Sequence, residues 1–401
     1  MSKDQKPTLD ASKTNPEKSG VKKPDRNQGG ARLAPKSETP ASTSWKPLYT
    51  WVALGLILAF SAGLGIAAII QFRSSPFFNS PIIDESSYVL WARELADGDF
   101  SGGKVFYQDP LYPYFLALIF KVFGENFLLI RLLQAALGVG AVALCFWTSR
   151  KLLGDGPALL AAGIMALSRG MYFFELQIEK TTLVIFLSAA ALALGAAAAD
   201  RPRAKWRWLA LGLNLGLLSL LRGNFLPILP FFMLWALLAN WREPALTRLA
   251  RPGLLVLGLA LVILPATIRN YRLSGEFTLT TSQGGPNFYL GNNELAEGIY
   301  TILPFVRPDP RYEAADFQAE AERRANQPLS AGAVSRFWFR EGLKWIGAHP
   351  VAAGRLLLHK ARLMIHQDEI PDNHSFLLTR DEFTPILWAP FLAAVHVCVK
   401  A

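Results

Sequence analysis

LYTWVALGLILAFSAGLGIAAII, residues 48–70, runs 23 residues without a charge and is followed by QFRSSPFFNSPIIDESSY at 71–88. A helix over the first stretch would extend about 35 Å at 1.5 Å per residue, enough to cross roughly 30 Å of hydrocarbon. Before it, residues 1–46 are rich in Lys, Pro, Ser, Asn and Gly and almost free of large apolar side chains. Such a segment cannot bury enough surface to offset chain entropy, so a disordered basic tail is expected there. The tail is too long and too polar to be the charged end of a cleaved signal peptide, which makes 48–70 a retained anchor.

The same apolar character returns at 127–148, 156–173, 181–199, 206–221, 224–240 and 252–268, and again at 385–399, where the chain stops inside the run. The expected fold class is therefore an all-α polytopic membrane protein. It would have at least seven transmembrane helices, the start of an eighth in 385–401, and interfacial helices in the first external loop. The chain end cuts that last run short, and the sequence leaves open whether the native chain continues past residue 401. Composition agrees with a membrane class, since 51% of residues are hydrophobic and 18% charged while the net charge is +10. That basic excess sits in short connections on the side of the tail, at Arg150 and Lys151, at Arg201, Arg203, Lys205 and Arg207, and at Arg242, Arg248 and Arg251. The positive-inside rule accounts for it, places the amino terminus in the cytoplasm, and leaves no basic patch for nucleic acid. Cys145 and Cys398 both lie in apolar runs and can form neither a disulfide framework nor a paired metal motif.

Residues 47–270 then form the membrane core, with an external loop at 71–126, and residues 271–384 form a second extracytoplasmic loop. Both loops are too long to be mere connectors. The first holds Asp84 to Leu95 with apolar residues at helical spacing, and Leu111 to Phe123, too short to span and expected to lie in the interface. The second ends in Trp338 to Ile365, whose mixed basic and apolar composition predicts another surface-lying helix.

Charges beside a span are costly and imply a partner, a wet cavity or a function. Asp84 and Glu85 follow the first span, Glu175, Glu179 and Lys180 lie between the third and fourth, Arg222 lies between the fifth and sixth, and Arg269 and Arg272 follow the seventh. Their convergence on one face predicts a polar cavity at the external surface; chance placement at helix ends is the alternative. Adjacent side chains on a helix point about 100° apart, so one of Asp84 and Glu85 can face a cavity while the other caps or pairs. By position alone, Asp84 is open to both an N-cap and a catalytic role. Tyr107 to Tyr114 adds a kinked aromatic rim. The Gly- and Asn-rich run from Gly284 to Asn293 predicts a turn using positive φ angles, and Gly212-Leu213-Asn214-Leu215-Gly216 predicts a helix-packing face. His359, His366 and His374 with Asp368 and Glu369 are spaced by seven and eight residues, which is no metal-binding motif. Asn373-His374-Ser375 matches the glycosylation triplet.

The order of these features resembles the glycosyltransferases of the C superfamily, the polytopic enzymes related to protein O-mannosyltransferases and the lipid A aminoarabinose transferase (glycosyltransferase family 39-like). The resemblance covers roughly residues 50–390. It rests on Asp84-Glu85 with Tyr88, Pro110-Leu111-Tyr112-Pro113, Phe123-Gly124 with Arg131-Leu132-Leu133, and Arg269-Asn270-Tyr271 through Gly291-Asn292-Asn293. It implies that Asp84 is the catalytic base with Glu85 beside it, and that the donor is a sugar on polyprenyl phosphate. The acceptor would be lipopolysaccharide, another envelope glycan or a protein, on the outer face of a bacterial inner membrane. Gln108-Asp109 departs from the family pattern, in which two prolines and a basic residue or His are common. By chemistry and position, Lys180, Arg222 and Arg269 are the expected phosphate ligands, and Tyr88, Tyr112, Glu175, Glu179, Asn287 and Asn292 the expected substrate contacts. No cofactor is called for, with a divalent metal left open. A transporter or flippase, or a glycan-binding membrane subunit without activity, would share the membrane architecture. A transporter is expected to show repeated halves and polar residues at the midplane.

Overall fold

Inside lipid every backbone amide and carbonyl must find its partner within the chain, which leaves a continuous apolar run little choice but helix. The computed structural model describes residues 47–100, 103–239, 242–364, 370 and 373–388, and among them there is helix and no strand. The tail at 1–46, most of the expected eighth span at 385–399, and His366, Asp368, Glu369 and Cys398 lie outside the described residues.

Four helices are long and apolar enough to cross a membrane: α1 (Leu48–Phe72 within Pro47–Phe72), α4 (Phe127–Leu153), α7 (Thr181–Asp200) and α10 (Ala245–Ser274). A fifth crossing is available if α5 (Asp155–Ala166) and α6 (Arg169–Leu176), bent by 47° to each other, form one broken span. The segments counted as spans at 206–221 and 224–240 fold as α8 (Lys205–Leu221), of 17 residues, and α9 (Leu229–Leu238), of 10, after a 3₁₀ turn that contains Pro227. The chain is an integral multi-pass membrane protein, with four or five helices meeting the length requirement among the described residues.

Local chemistry sets the ends of these elements. The Asn126 side chain accepts from the Leu129 amide and opens α4, Gly154 at φ +91° closes it, and Gly275 at φ +71° closes α10. The expected packing face on α8 is real. A Cβ on Gly212 would overlap the Leu255 carbonyl of α10, and one on Gly258 would meet the backbone of Leu209 and Leu213. Only glycine lets these two backbones approach so closely.

Outside the spans, α2 (Ile83–Ala96) packs on α3 (Leu111–Phe123), the latter with the bounds expected of the interfacial segment. The second loop builds its own small core from α11 (Gly284–Leu290), α12 (Pro310–Ala325) and α13 (Ala331–Ala348) around Trp338 and Phe317. Two expectations change here. The single helix predicted over 338–365 is two, α13 and α14 (Pro350–Met364), because Pro350 lacks an amide hydrogen and pushes His349 out of helical geometry, to φ −129° and ψ 57°. The run from Gly284 to Asn293 contains a helix rather than a positive-φ turn; Gly285 is needed because a Cβ there would strike the Ser335 backbone of α13.

Replacing Gly212 by Val should lower the melting temperature in detergent, since overpacking typically costs about 1–3 kcal/mol. Gly253→Ala on the same α8/α10 pair's second helix, where a Cβ meets nothing within 4 Å, should not. Equal melting temperatures for the two variants would contradict the close-approach account.

Candidate functional site

The first turn of α2 decides where the two adjacent acids go. Its cap residue is Ile82, which offers no side-chain hydrogen bond, so Asp84 is not an N-cap. Ile83 sits at φ +49°, a left-handed conformation that a β-branched residue seldom adopts. Beyond this kink the acids separate as the helical 100° step requires. Glu85 turns inward, 1% exposed, where Oε1 accepts from the Ile178 amide at 2.9 Å and Oε2 lies 3.2 Å from His374 Nε2. Asp84 is half-buried and faces a cavity; its amide donates to Asn373 Oδ1 at 3.3 Å and its Oδ1 accepts from Gln108 Nε2 at 3.4 Å.

That cavity, of about 420 Å³, brings Asp84, Tyr88, Glu179, Lys180, Arg222 and Asn287 to one wall system, drawn from chain segments more than 200 residues apart. Burial first, then Asp84, Glu179 and Asp109, raise the Tyr88 phenol well above its ordinary range, so it serves as a neutral hydroxyl. Lys180 is already paired with Asp109 at 2.7 Å; the carboxylate is buried and the ammonium half-buried. Arg222 is more accessible, its side chain 40% exposed, with Thr181 Oγ1 at 3.4 Å and Glu179 Oε1 at 4.0 Å. Glu179, Arg222, Asn287 and Tyr300 also line a second cavity of about 750 Å³, whose remaining wall is largely apolar and includes Phe173, Phe174, Leu290, Leu363 and Met364.

Other expected site residues lie elsewhere. Tyr112 is fully buried and donates to Gln134 Oε1 at 2.8 Å, Asn292 donates to the Phe288 carbonyl at 2.8 Å, and neither lines the cavity. Glu175 is wedged against Gly65 of α1 and Gly138 of α4, away from Asp84. Arg269 covers the Phe106 ring at 3.8 Å and lines a third cavity, of about 360 Å³, that shares Gln108 and Pro310 with the first. His359 and His374 do not cluster: among the described residues no three His, Cys, Asp or Glu side chains are placed to hold one ion.

Sequence reasoning missed Asp109, Glu313 and, as a site residue, Asn373. Asp109 is 3% exposed and also accepts from the Gly223 amide at 3.2 Å and Gln283 Nε2 at 3.3 Å. Its signal was visible as the departure from the family pattern at Gln108-Asp109. Glu313 reaches the cavity from α12, accepting from the Tyr107 hydroxyl at 2.8 Å and the Tyr300 hydroxyl at 3.5 Å. Burial raises its carboxyl above the ordinary value of 4.5, and the nearby Asp84 raises it further against the lowering by the Tyr107 hydrogen bond.

Known proteins add the following. Residues 108–268 match the sequence profile of the family described as dolichyl-phosphate-mannose-protein mannosyltransferase, which bears out the resemblance to glycosyltransferases of the C superfamily. A crystal structure of the Archaeoglobus fulgidus oligosaccharyltransferase, in complex with zinc and sulfate, is similar with a TM-score of 0.45 and 16% identity, covering 86% of this chain and 48% of that one. The chain thus spans about half the length of that protein. No curated protein sequence matches it.

Glu313 generates a pH prediction. A carboxyl whose folded pKa is raised supports the fold fully below its unfolded value and loses that support as pH rises through the folded value. Wild type and Glu313→Gln should therefore melt together near pH 4, and the variant should melt progressively higher above about pH 4.5. A gap that is constant from pH 4 to 8 would refute the raised carboxyl.

Proposed function

We propose that the chain is a membrane glycosyltransferase that moves a sugar from a polyprenyl-phosphate carrier to an extracytoplasmic acceptor, with Asp84 as general base. The observation that carries this reading is the common wall of two unlike cavities. Glu179, Arg222, Asn287 and Tyr300 border both the polar space at Asp84 and the larger, apolar-walled space at Phe173, Phe174, Leu363 and Met364. A carrier has the same division, with an apolar prenyl chain, a phosphate at the junction and a polar sugar beyond it. Seated this way, the phosphate meets the Arg222 guanidinium and the anomeric carbon lies on the Asp84 side.

The reaction follows from that seating. Asp84 takes the proton of an acceptor hydroxyl or amine as its oxygen or nitrogen bonds to the anomeric carbon. The bond from that carbon to the phosphate oxygen breaks, and polyprenyl phosphate departs with the electron pair. Attack opposite the leaving group inverts the linkage. Arg222 offsets charge growing on the phosphate through charge-assisted hydrogen bonds. Lys180, already neutralised by Asp109, contributes less. Glu85 supports Asp84 from the protein side, and the third cavity, reached past Gln108, gives the acceptor an approach beside Arg269. The basic short connections support an amino terminus in the cytoplasm and a cavity on the outer face, and the family resemblance alone supports a bacterial inner membrane.

The test is transfer of radiolabelled mannose from polyprenyl-phosphate mannose by purified protein to an envelope-glycan acceptor. Asp84→Asn should lower kcat by about 10²–10⁴-fold, the usual contribution of a positioned base. Arg222→Gln should slow transfer and weaken binding of the bare carrier phosphate as well. Full activity of a folded Asp84→Asn variant would end the base assignment.

A further inference from the structure

We infer that Asn373 is a substrate-binding residue of the Asp84 cavity, its Nδ2 donating to a hydroxyl oxygen of the sugar or acceptor held beside the Asp84 carboxylate. The inference rests on the transferase reading above and names a ligand contact that no motif of the sequence points to.

The orientation of the amide is forced. The Asp84 backbone N–H is a donor, and Asn373 Oδ1 accepts from it at 3.3 Å, so the amide nitrogen must point the other way. Asn373 is 4% exposed, and its Nδ2 has no hydrogen-bond partner among the described residues. The residue lines the cavity together with Asp84, Gln108 and Tyr300. A buried donor left unpaired is costly, and natural proteins keep one where a ligand completes it. Here the donor is neutral. The phosphate has the Arg222 guanidinium, whose charge-assisted bonds are stronger, so the partner that suits a carboxamide N–H is an uncharged hydroxyl oxygen.

Neighbouring contacts hold the amide still. His374 Nε2 lies 3.2 Å from Glu85 Oε2, and its ring stands edge-on to Phe77 at 5.2 Å. Ser375 accepts from the Leu378 amide at 3.3 Å and caps the turn that follows. The consecutive residues Asn373 and His374 thus engage the consecutive acids Asp84 and Glu85. The glycosylation triplet has another explanation in this arrangement: its asparagine is buried and its carbonyl oxygen committed.

Asn373→Asp separates binding from architecture. It keeps an oxygen to accept from the Asp84 amide but replaces the donor with an acceptor. The added carboxylate beside Asp84 lowers the melting temperature, and in the folded variant equilibrium binding of polyprenyl-phosphate mannose is weakened by about tenfold, the worth of one good hydrogen bond. Unchanged binding of bare polyprenyl phosphate alongside that loss assigns the hydroxyl to the donor sugar. Unchanged donor binding with the acceptor KM raised about tenfold assigns it to the acceptor. Should Asn373→Asp unfold, Asn373→Ser, which removes the donor without adding a charge, carries the same binding expectation; its shorter side chain gives up the Asp84 amide bond too, so its melting temperature also falls. Wild-type donor affinity and wild-type acceptor KM in a folded variant would overturn the inference. Failure of the wild-type protein itself to bind the donor or transfer sugar would overturn the transferase reading, and this contact with it.

Discussion

The carboxylate of Asp109 is buried where a charge survives only if it is fully answered, and its partners come from three other parts of the chain. Lys180 reaches it from the turn between α6 and α7, the Gly223 amide from the turn after α8, and Gln283 from the loop after α10. Leaving a buried charge without its partner costs about 3–5 kcal/mol, so these turns are bound to one place. The cavity is the space they enclose. Asn270 reinforces the junction, accepting from the Phe106 amide at 3.2 Å while donating to the Thr280 carbonyl at 2.9 Å. The amide of Ser282 then reaches the Phe106 carbonyl at 2.9 Å, tying the loop between α2 and α3 to the loop after α10 backbone to backbone.

A second buried pair does similar service one layer deeper. Arg131, wholly buried on α4, donates to the carbonyls of Leu176 and Phe78 at 2.6 and 2.9 Å, and Gln134 one turn on donates to those of Glu175 and Gln177 at 3.0 and 2.7 Å. The end of α6 leaves carbonyls without helical partners, and two α4 side chains supply the donors. This explains why Arg131 belongs to the motif on which the family resemblance rests and yet does not face the cavity. It also explains Tyr112, whose hydroxyl completes the Gln134 amide.

What could be read in advance was whatever depends on short sequence distances. Apolar runs dictated the helices, charges at their outer ends marked the face that carries the cavity, and Asp84, Tyr88, Glu179, Lys180, Arg222 and Asn287 do meet there. Crossings are less legible than helices: α8 covers the whole run expected at 206–221 but in only 17 residues, the short end of what spans a bilayer, and Pro227 breaks the segment that follows. Position could not separate side chains that face the cavity from those that brace it, as with Glu175 and Asn292. Asn373 and Glu313 were beyond reach for another reason. Each is more than 200 residues from Asp84 in the chain, and nothing local to either announces a partner that distant.

Ile83 shows how these contacts combine into a site. A β-branched residue in a left-handed conformation costs of order 1–3 kcal/mol and persists only where its surroundings over-determine it. The surroundings here are the anchors on the two residues that follow. Asn373 holds the Asp84 amide, and the Ile178 amide together with His374 holds the Glu85 carboxylate. If Ile83 relaxed to an ordinary helical or extended conformation, the chain direction at Asp84 would change and at least one anchor would be lost. The strain and the anchors therefore imply each other: Glu85 is drawn into the protein, and the helical step of about 100° turns Asp84 outward to the cavity. By geometry alone, an adjacent acidic pair becomes one carboxylate held inside the protein and one turned to the cavity.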